Sequence, residues 1–210
     1  MVVGPDHHHD GGAAHLLPPE GLALSGAQLE TLDGPATRRI AADLRAIYLA
    51  ALALPPFGEG DEQADAFAAE LADEVEEAGF RCCAAMAGGA PVGFAYGCPA
   101  FADEPQDEWT RELVESVGPA VTEGWIRAQF AFIWTAVRPE WQGRGLGGRL
   151  HDGLLRTATE PRAWLVTYPF DCPAVRLYRR RGWVELGRGP LGMGSAERVV
   201  MGVGVGAGSR

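Results

Sequence analysis

Lysine and asparagine are both missing from this chain of 210 residues, so its 18 residues of permanent positive charge are all arginine. Without lysine there is no pyridoxal Schiff base, no lysine-bearing phosphate loop and no kinase-type lysine. Without asparagine there is no N-glycosylation acceptor. Both amino acids have A/T-rich codons, so their absence reads as a G+C-rich bacterial genome rather than a functional choice. Cysteine is sparse: Cys82, Cys83, Cys98 and Cys172 show no C-x-x-C spacing. They read as structural thiols of a reducing compartment, not as disulfides or zinc ligands. The adjacent pair must point to opposite faces of any strand. No run approaches ~18 uninterrupted apolar residues, and the first residues lack the basic and apolar segments of a signal peptide. A cytoplasmic protein without membrane contact is expected. Positive charge is in deficit as well, with a net −10, which disfavours nucleic acid as a partner.

Hydrophobic residues make up 47% of the chain and charged ones 22%, enough for one packed domain. The charge is unevenly placed. Residues 138–188 hold ten arginines against five acids, while residues 99–126 hold seven acids (Asp103, Glu104, Asp107, Glu108, Glu112, Glu115, Glu123) and the single Arg111. A basic segment in an acidic protein is where an anionic ligand is sought first; solvated arginines on helix faces are the plainer alternative.

Residues 1–26 are rich in Gly, Pro, Ala and His and read as a flexible tail. His7, His8, His9, Asp10 and His15 belong to that tail and are not read as a metal site. The folded domain is expected over residues 27–205, with an acidic insert at 99–126 and a short tail at 206–210. A strand at 27–32 precedes a helix opened by Asp33-Gly34-Pro35, with Ile40, Leu44, Ile47, Tyr48, Ala51 and Leu52 on one face, stopped by Pro55-Pro56. A second helix from about Asp61 to Gly79 buries Ala64, Phe67, Ala68, Leu71 and Val75. Strands at 80–87 and 92–98 flank the turn Gly88-Gly89-Ala90-Pro91. After the insert, with a short helix around Leu113, Val114 and Val117, comes a long strand at 127–137. A helix at 145–159, a strand at 163–167, a helix at 173–181 and strands at 183–186 and 198–205 complete the order β-αα-βββ-α-β-α-ββ.

The chemistry-bearing segment follows the long strand: Arg138-Pro139-Glu140-Trp141-Gln142-Gly143-Arg144-Gly145-Leu146-Gly147-Gly148. Glycines let the backbone approach a ligand, and the free N–H groups of a helix's first turn bind phosphate. Arg144 and Arg149 supply countercharge. Gly143-x-Gly145-x-x-Gly148 also fits the dinucleotide pattern, but that pattern sits directly at a strand end with an acid closing the next strand. Here five residues intervene after Val137, and the next strand runs into Thr167-Tyr168-Pro169.

Gln142-x-x-Gly145-x-Gly147 after a strand resembles the coenzyme A loop of the GNAT acetyltransferase superfamily. Asp171-x-x-Ala174-x-x-Leu177-Tyr178-x-x-x-Gly182-Trp183 resembles that family's downstream Asn-x-x-Ala-x-x-Leu-Tyr-x-x-x-Gly-Phe element, and the element order agrees as well. The resemblance implies an α/β fold with a mixed, mostly antiparallel central sheet flanked by helices. It implies acetyl-CoA as acyl donor, held by the main chain of Thr135, Ala136 and Val137, by the loop residues Gln142, Gly143, Arg144, Gly145, Leu146, Gly147 and Gly148, and by Asp171, Ala174 and Tyr178. Tyr178 stands where the family places the acid that protonates the leaving thiolate; the plain alternative is a core tyrosine. Asp171 departs from the usual Asn and can cap the following helix but cannot donate when ionised. No metal is implied, and no general base is evident in either central strand.

The expected activity is transfer of acetyl from acetyl-CoA to a primary amine on a small molecule, with a non-catalytic acyl-CoA-binding module as the alternative. Glu59, Asp61 and some of Asp103, Glu104, Asp107 and Glu108 are expected to form a negative rim for a small polycationic or aryl-alkyl amine, with Phe57 and Trp109 giving apolar or cation–π contact. A solvated acidic loop is the plainer alternative. The sequence sets no oligomeric state and leaves a dimer open.

Overall fold

A computed structural model of the chain describes residues 26–103, 105, 107–190 and 197–206. The histidine-rich tract, Glu104 of the expected rim and the last four residues lie outside the described residues. A seven-stranded sheet runs in the order β1-β2-β3-β4-β5-β7-β6. Its strands are β1 (Gln28–Leu32), β2 (Arg81–Ala87), β3 (Ala90–Pro99), β4 (Phe130–Val137), β5 (Arg162–Thr167), β6 (Val184–Arg188) and β7 (Val199–Gly204). Every neighbouring pair is antiparallel except β4 with β5. The expected strand and helix order holds, with more helix than expected near the N-terminus and in the insert.

The first helix is two. Asp33 caps α1 (Gly34–Arg39) by accepting from the Ala36 N–H at 2.9 Å, and the chain bends at Ile40 before α2 (Ala41–Leu52). Leu44, Ile47 and Tyr48 of α2 and Ala64, Phe67 and Leu71 of α3 (Asp61–Glu74) are buried against β3 and β4, as their helical spacing requires. The opposite face is covered by α6 (Leu146–Leu155) and α7 (Pro173–Arg180), over Phe130, Phe132, Leu165 and Met201. Cys82 packs with the first of these clusters and Cys83 with the second, so the adjacent thiols do face opposite ways; all four cysteines are free and buried.

The insert adds α4 (Glu108–Val117), a single turn α5 (Pro119–Val121) and a π-helical turn at Thr122–Ile126. Leu113 and Ile126 cover Ala131, Trp164 and Val200, extending the α2/α3 face across the far half of the sheet. Among the described residues no helix is long and apolar enough to cross a membrane.

Two features of β4 open the sheet. Its register against β3 slips where Tyr96 pairs Trp134 but Gly97 pairs Phe132, leaving Ile133 as the extra residue of a bulge. A Cβ on Gly97 would sit 2.1 Å from the Ala131 carbonyl oxygen, so only glycine admits this close approach. The bulge resets the alternation, and both Ile133 and Trp134 turn to the α2/α3 face. Against β5, only Phe130 and Ala131 pair, with Ala163 and Trp164. Beyond them the two parallel strands part, and residues 132–137, apart from the bulged Ile133, keep a strand partner on the β3 side alone.

Candidate active site

The expected site residues lie near the slot where β4 and β5 part, on both faces of the sheet. On the α6/α7 face, β4 ends at Val137 and the chain turns through Pro139–Trp141 into α6. Gln142 ties this loop back to the strand, its Nε2 donating to the Val137 carbonyl at 2.9 Å. Gly143 and Gly145 have φ of +72° and +76°, values side chains resist, and Gly145 is the N-cap of α6. The first helical bond there is from the Arg149 N–H to the Gly145 carbonyl. The N–H groups of Leu146, Gly147 and Gly148 therefore have no acceptor within the helix, and the helix dipole makes such a turn suited to an anion.

Around this turn the remaining expected residues take distinct places. The Arg144 guanidinium lies over the Trp141 ring at 5.5 Å, on the exposed side of the loop. The Leu146 side chain is buried in the core beneath. Gly148 is closely covered by Arg181, whose guanidinium holds Asp152 by two bonds of 2.6 and 3.0 Å. Arg149 reaches the start of β1, where its Nη2 donates to the Ala27 carbonyl at 2.8 Å. Much of the arginine-rich segment is likewise structural: Arg176 pairs Asp171 at 2.6 Å, Arg188 pairs Glu197 at 3.1 Å, and Arg162 lies over Trp125. Asp171 does not cap α7. Cys172 occupies the N-cap, and the Asp171 carboxylate is turned outward to Arg176.

Tyr178 projects from α7 to the root of the slot. Its ring meets Phe132, the first β4 residue past the last β5 pair, edge-on at 6.1 Å, and Trp183 at 5.7 Å. Beside it, His151 accepts from the Trp183 indole N–H at 2.8 Å while its Nδ1 lies 2.8 Å from Asp152. That sandwich fixes a neutral imidazole with its proton on Nδ1, and burial holds the His151 pKa below its ordinary value. Tyr178 itself is buried, and burial drives its phenol pKa well above the usual range. Among the described residues its hydroxyl makes no side-chain hydrogen bond, so the proton is not committed elsewhere. Ala174, one turn earlier, packs against the same cluster.

On the α2/α3 face the slot opens into a cavity of about 390 Å³ between α2, α3, Trp134 of β4 and Tyr168 just past β5. Glu59 projects into it from the α2–α3 loop. One of its oxygens accepts from the Tyr168 hydroxyl at 2.8 Å, and the other accepts a close hydrogen bond from Tyr48. Both phenols have pKa values raised by burial and then by Glu59 itself. Phe57 lies 5.2 Å from Tyr168, and Phe170 packs on both, 4.9 Å from Tyr168 and 6.3 Å from Phe57. Arg198 lies over the other side of Tyr168 at 4.3 Å.

Of the expected acidic rim, Glu59 lines this cavity, as does Phe57; the described acids of the insert and Trp109 do not. Asp61 is held by Arg45 at 2.8 Å, and Asp107 caps α4. Tyr48, Glu70, Trp134, Tyr168 and Arg198 were not singled out as site residues from the sequence. The one signal available was the position of Tyr168 directly after a central strand, where open α/β sheets place ligands. Among the described residues there is no group of three or more His, Cys, Asp or Glu able to hold a metal.

The model of the Acetyltransferase (GNAT) family matches residues 44–183. The chain belongs to the GNAT acetyltransferase family. No curated protein sequence matches it, but solved GNAT structures share the fold. A putative GNAT acetyltransferase from Desulfovibrio desulfuricans is 17% identical with a TM-score of 0.58, over 85% of this chain and 99% of the other. The ribosomal-protein-S18-alanine N-acetyltransferase of Escherichia coli is 15% identical with a TM-score of 0.56, over 87% and 96%. The paia N-acetyltransferase of Thermoplasma acidophilum, solved in complex with coenzyme A, is 12% identical with a TM-score of 0.53, over 84% and 99%. A GNAT acetyltransferase uses acetyl-CoA, and the glycine turn with its three open amides fits the pyrophosphate of that donor.

Proposed function

We propose that this GNAT protein is an N-acetyltransferase that passes acetyl from acetyl-CoA to a primary amine on a small molecule. The observation that carries the reading is the slot between β4 and β5, which joins an anion-binding helix start on one face to a carboxylate-bearing cavity on the other. Bound acetyl-CoA supplies an activated acetyl thioester. The amides of residues 146–148 and Arg144 hold its pyrophosphate, with Gln142 keeping the loop at the strand end. The free edge of β4 at Thr135, Ala136 and Val137 pairs with the pantetheine in the manner of an added strand. An N–H of that edge also faces the carbonyl oxygen on which negative charge develops.

The amine reaches the thioester from the cavity face. As its nitrogen bonds to the carbonyl carbon, the carbon–sulfur bond breaks, and Tyr178 gives its proton to the departing sulfur. Of the two protons the ammonium nitrogen sheds, one replaces that of Tyr178 and one goes to water. Glu59, whose two oxygens accept from Tyr48 and Tyr168, is placed to hold the ammonium.

The test is release of coenzyme A thiol with acetyl-CoA and a panel of primary amines, checked by product mass. The reading requires release that depends on the amine, matched by an acetylated product. Tight acetyl-CoA binding without such release would instead mark a binding module.

A further inference from the structure

Resting on the acetyl-transfer reading, we infer that the acceptor is an aryl-alkyl amine of single positive charge, with Glu59 and Phe57 setting that specificity. Three features of the cavity combine. Glu59 is the acidic group braced at its floor, its two oxygens fixed by Tyr48 and Tyr168. A carboxylate so oriented offers its remaining lone pairs to one ammonium group. The lining as a whole sets two carboxyls, Glu59 and Glu70, against the one guanidinium of Arg198. Glu59 is the braced acceptor for an ammonium, and burial raises the Glu70 pKa. The guanidinium in the lining opposes further cations, so a polyamine is disfavoured, and the carboxylate of Glu59 disfavours any carboxylic acid.

The third feature is the aromatic lip. Phe57, Tyr168 and Phe170 form a cluster of three tilted rings with centroid separations of 5.2, 4.9 and 6.3 Å. Phe57 and Tyr168 line the cavity, and Phe170, which packs on both, is 38% exposed. A cavity of about 390 Å³ lies in the range of small-molecule sites, where a few placed polar groups fix orientation and apolar walls supply affinity. A ring carried two or so carbons from the ammonium lies along this lip while the nitrogen stays near Glu59. A plain alkyl amine satisfies Glu59 but leaves the rings bare.

The test is calorimetric titration of the full chain, saturated with coenzyme A, with phenethylamine, butylamine, spermidine and hydrocinnamate. Phenethylamine is expected to bind at least about tenfold more tightly than butylamine, from ring burial and aromatic contact, and hydrocinnamate not at all. Glu59→Gln is expected to weaken both monoamines by about tenfold or more, the effect of removing a charged hydrogen-bond partner. Phe57→Ala should narrow the gap between the two monoamines with little change for butylamine, and the milder Phe57→Leu should narrow it less. Unchanged coenzyme A affinity in each variant shows that the fold is kept.

Equal binding of phenethylamine and butylamine, tighter binding of spermidine, or binding of hydrocinnamate would overturn the inference. Thiol release assayed with the same compounds separates it from the reading beneath it. Turnover of spermidine but not phenethylamine sinks the substrate class and leaves acetyl transfer standing. Absence of release with every amine sinks both.

Discussion

Gly147 offers a substitution in which stability and cofactor affinity should move in opposite directions. It is the second residue of α6, its backbone is not left-handed, and an added Cβ would meet only the Leu177 side chain, at 3.9 Å. Gly147→Ala is therefore strain-free and should raise helix stability by up to ~1 kcal/mol. Gly147→Asp keeps the same space and adds an acid to a first turn that has none, a further ~0.3–1 kcal/mol from the helix dipole. The same charge opposes the donor's pyrophosphate. At about 5 Å, one pair of like charges repels by about 0.8 kcal/mol in water and about 3 kcal/mol at an effective dielectric of about 20. By the rule that about 1.4 kcal/mol is tenfold, the loss is about 4-fold to 200-fold for each phosphate charge. Gly147→Asp should thus melt above wild type yet bind coenzyme A at least about tenfold more weakly at low salt, with the deficit shrinking as salt is added. Gly147→Ala should bind within about twofold of wild type, a loss of under ~0.5 kcal/mol. Scanning calorimetry and titration at two ionic strengths read both quantities. Undiminished binding by a folded Gly147→Asp protein at low salt would refute the placement of the pyrophosphate.

Tyr178→Phe removes a hydroxyl that makes no side-chain hydrogen bond among the described residues, so its melting temperature and coenzyme A affinity should match wild type while kcat falls by ~10²–10⁴; full activity would return Tyr178 to the core. Glu74 has its pKa pushed up to about 7, first by burial, while it accepts from the Tyr96 hydroxyl at 2.6 Å. Its folded pKa thus exceeds the unfolded one, and the stability it gives at low pH is lost as pH rises through about 7; Glu74→Gln should flatten denaturant stability across that window, and an unchanged slope would contradict it. The chain's four tyrosines, Tyr48, Tyr96, Tyr168 and Tyr178, all have pKa values raised first by burial. Unfolded tyrosines lose protons near pH ~10 while the native ones keep theirs, so stability should fall steeply above that pH. Tyrosinate absorbance should then rise together with unfolding, and a normal titration in the folded state would disprove the burial.

The parts of this molecule that local chemistry dictates were legible in the sequence. Asp33 before Gly-Pro caps a helix, Gly143 and Gly145 mark the loop where the backbone turns left-handed, and the apolar spacing of α2 and α3 names Leu44, Ile47, Phe67 and Leu71 as core. What was not legible depends on tertiary pairing. Nothing in Phe-Ala-Phe-Ile-Trp-Thr-Ala-Val announces that Ile133 is a bulge, because the bulge is set by how Gly97 lies against Ala131. The long strand begins at Phe130 rather than Arg127, since Ala128 takes φ +54° and bonds its N–H to the Phe101 carbonyl. The split at Ile40 carries no glycine or proline to signal it. The acceptor cavity draws Tyr48 and Glu59 together with Tyr168, more than a hundred residues away, a proximity that no spacing encodes. For the same reason the charge of the insert does not reveal that its described acids stay outside the cavity lining.

The central claim, that one slot joins the donor site on one face to the acceptor site on the other, is tested most directly by a single molecule that occupies both. Phenethylamine linked through an acetyl bridge to the sulfur of coenzyme A spans the two half-sites only if they meet between β4 and β5. The account predicts competition against both acetyl-CoA and amine, and affinity well above that of coenzyme A alone, because the second binding event becomes intramolecular. It also predicts separate losses on Gly147→Asp and on Glu59→Gln. A conjugate that binds no more tightly than coenzyme A and is indifferent to Glu59→Gln would contradict it.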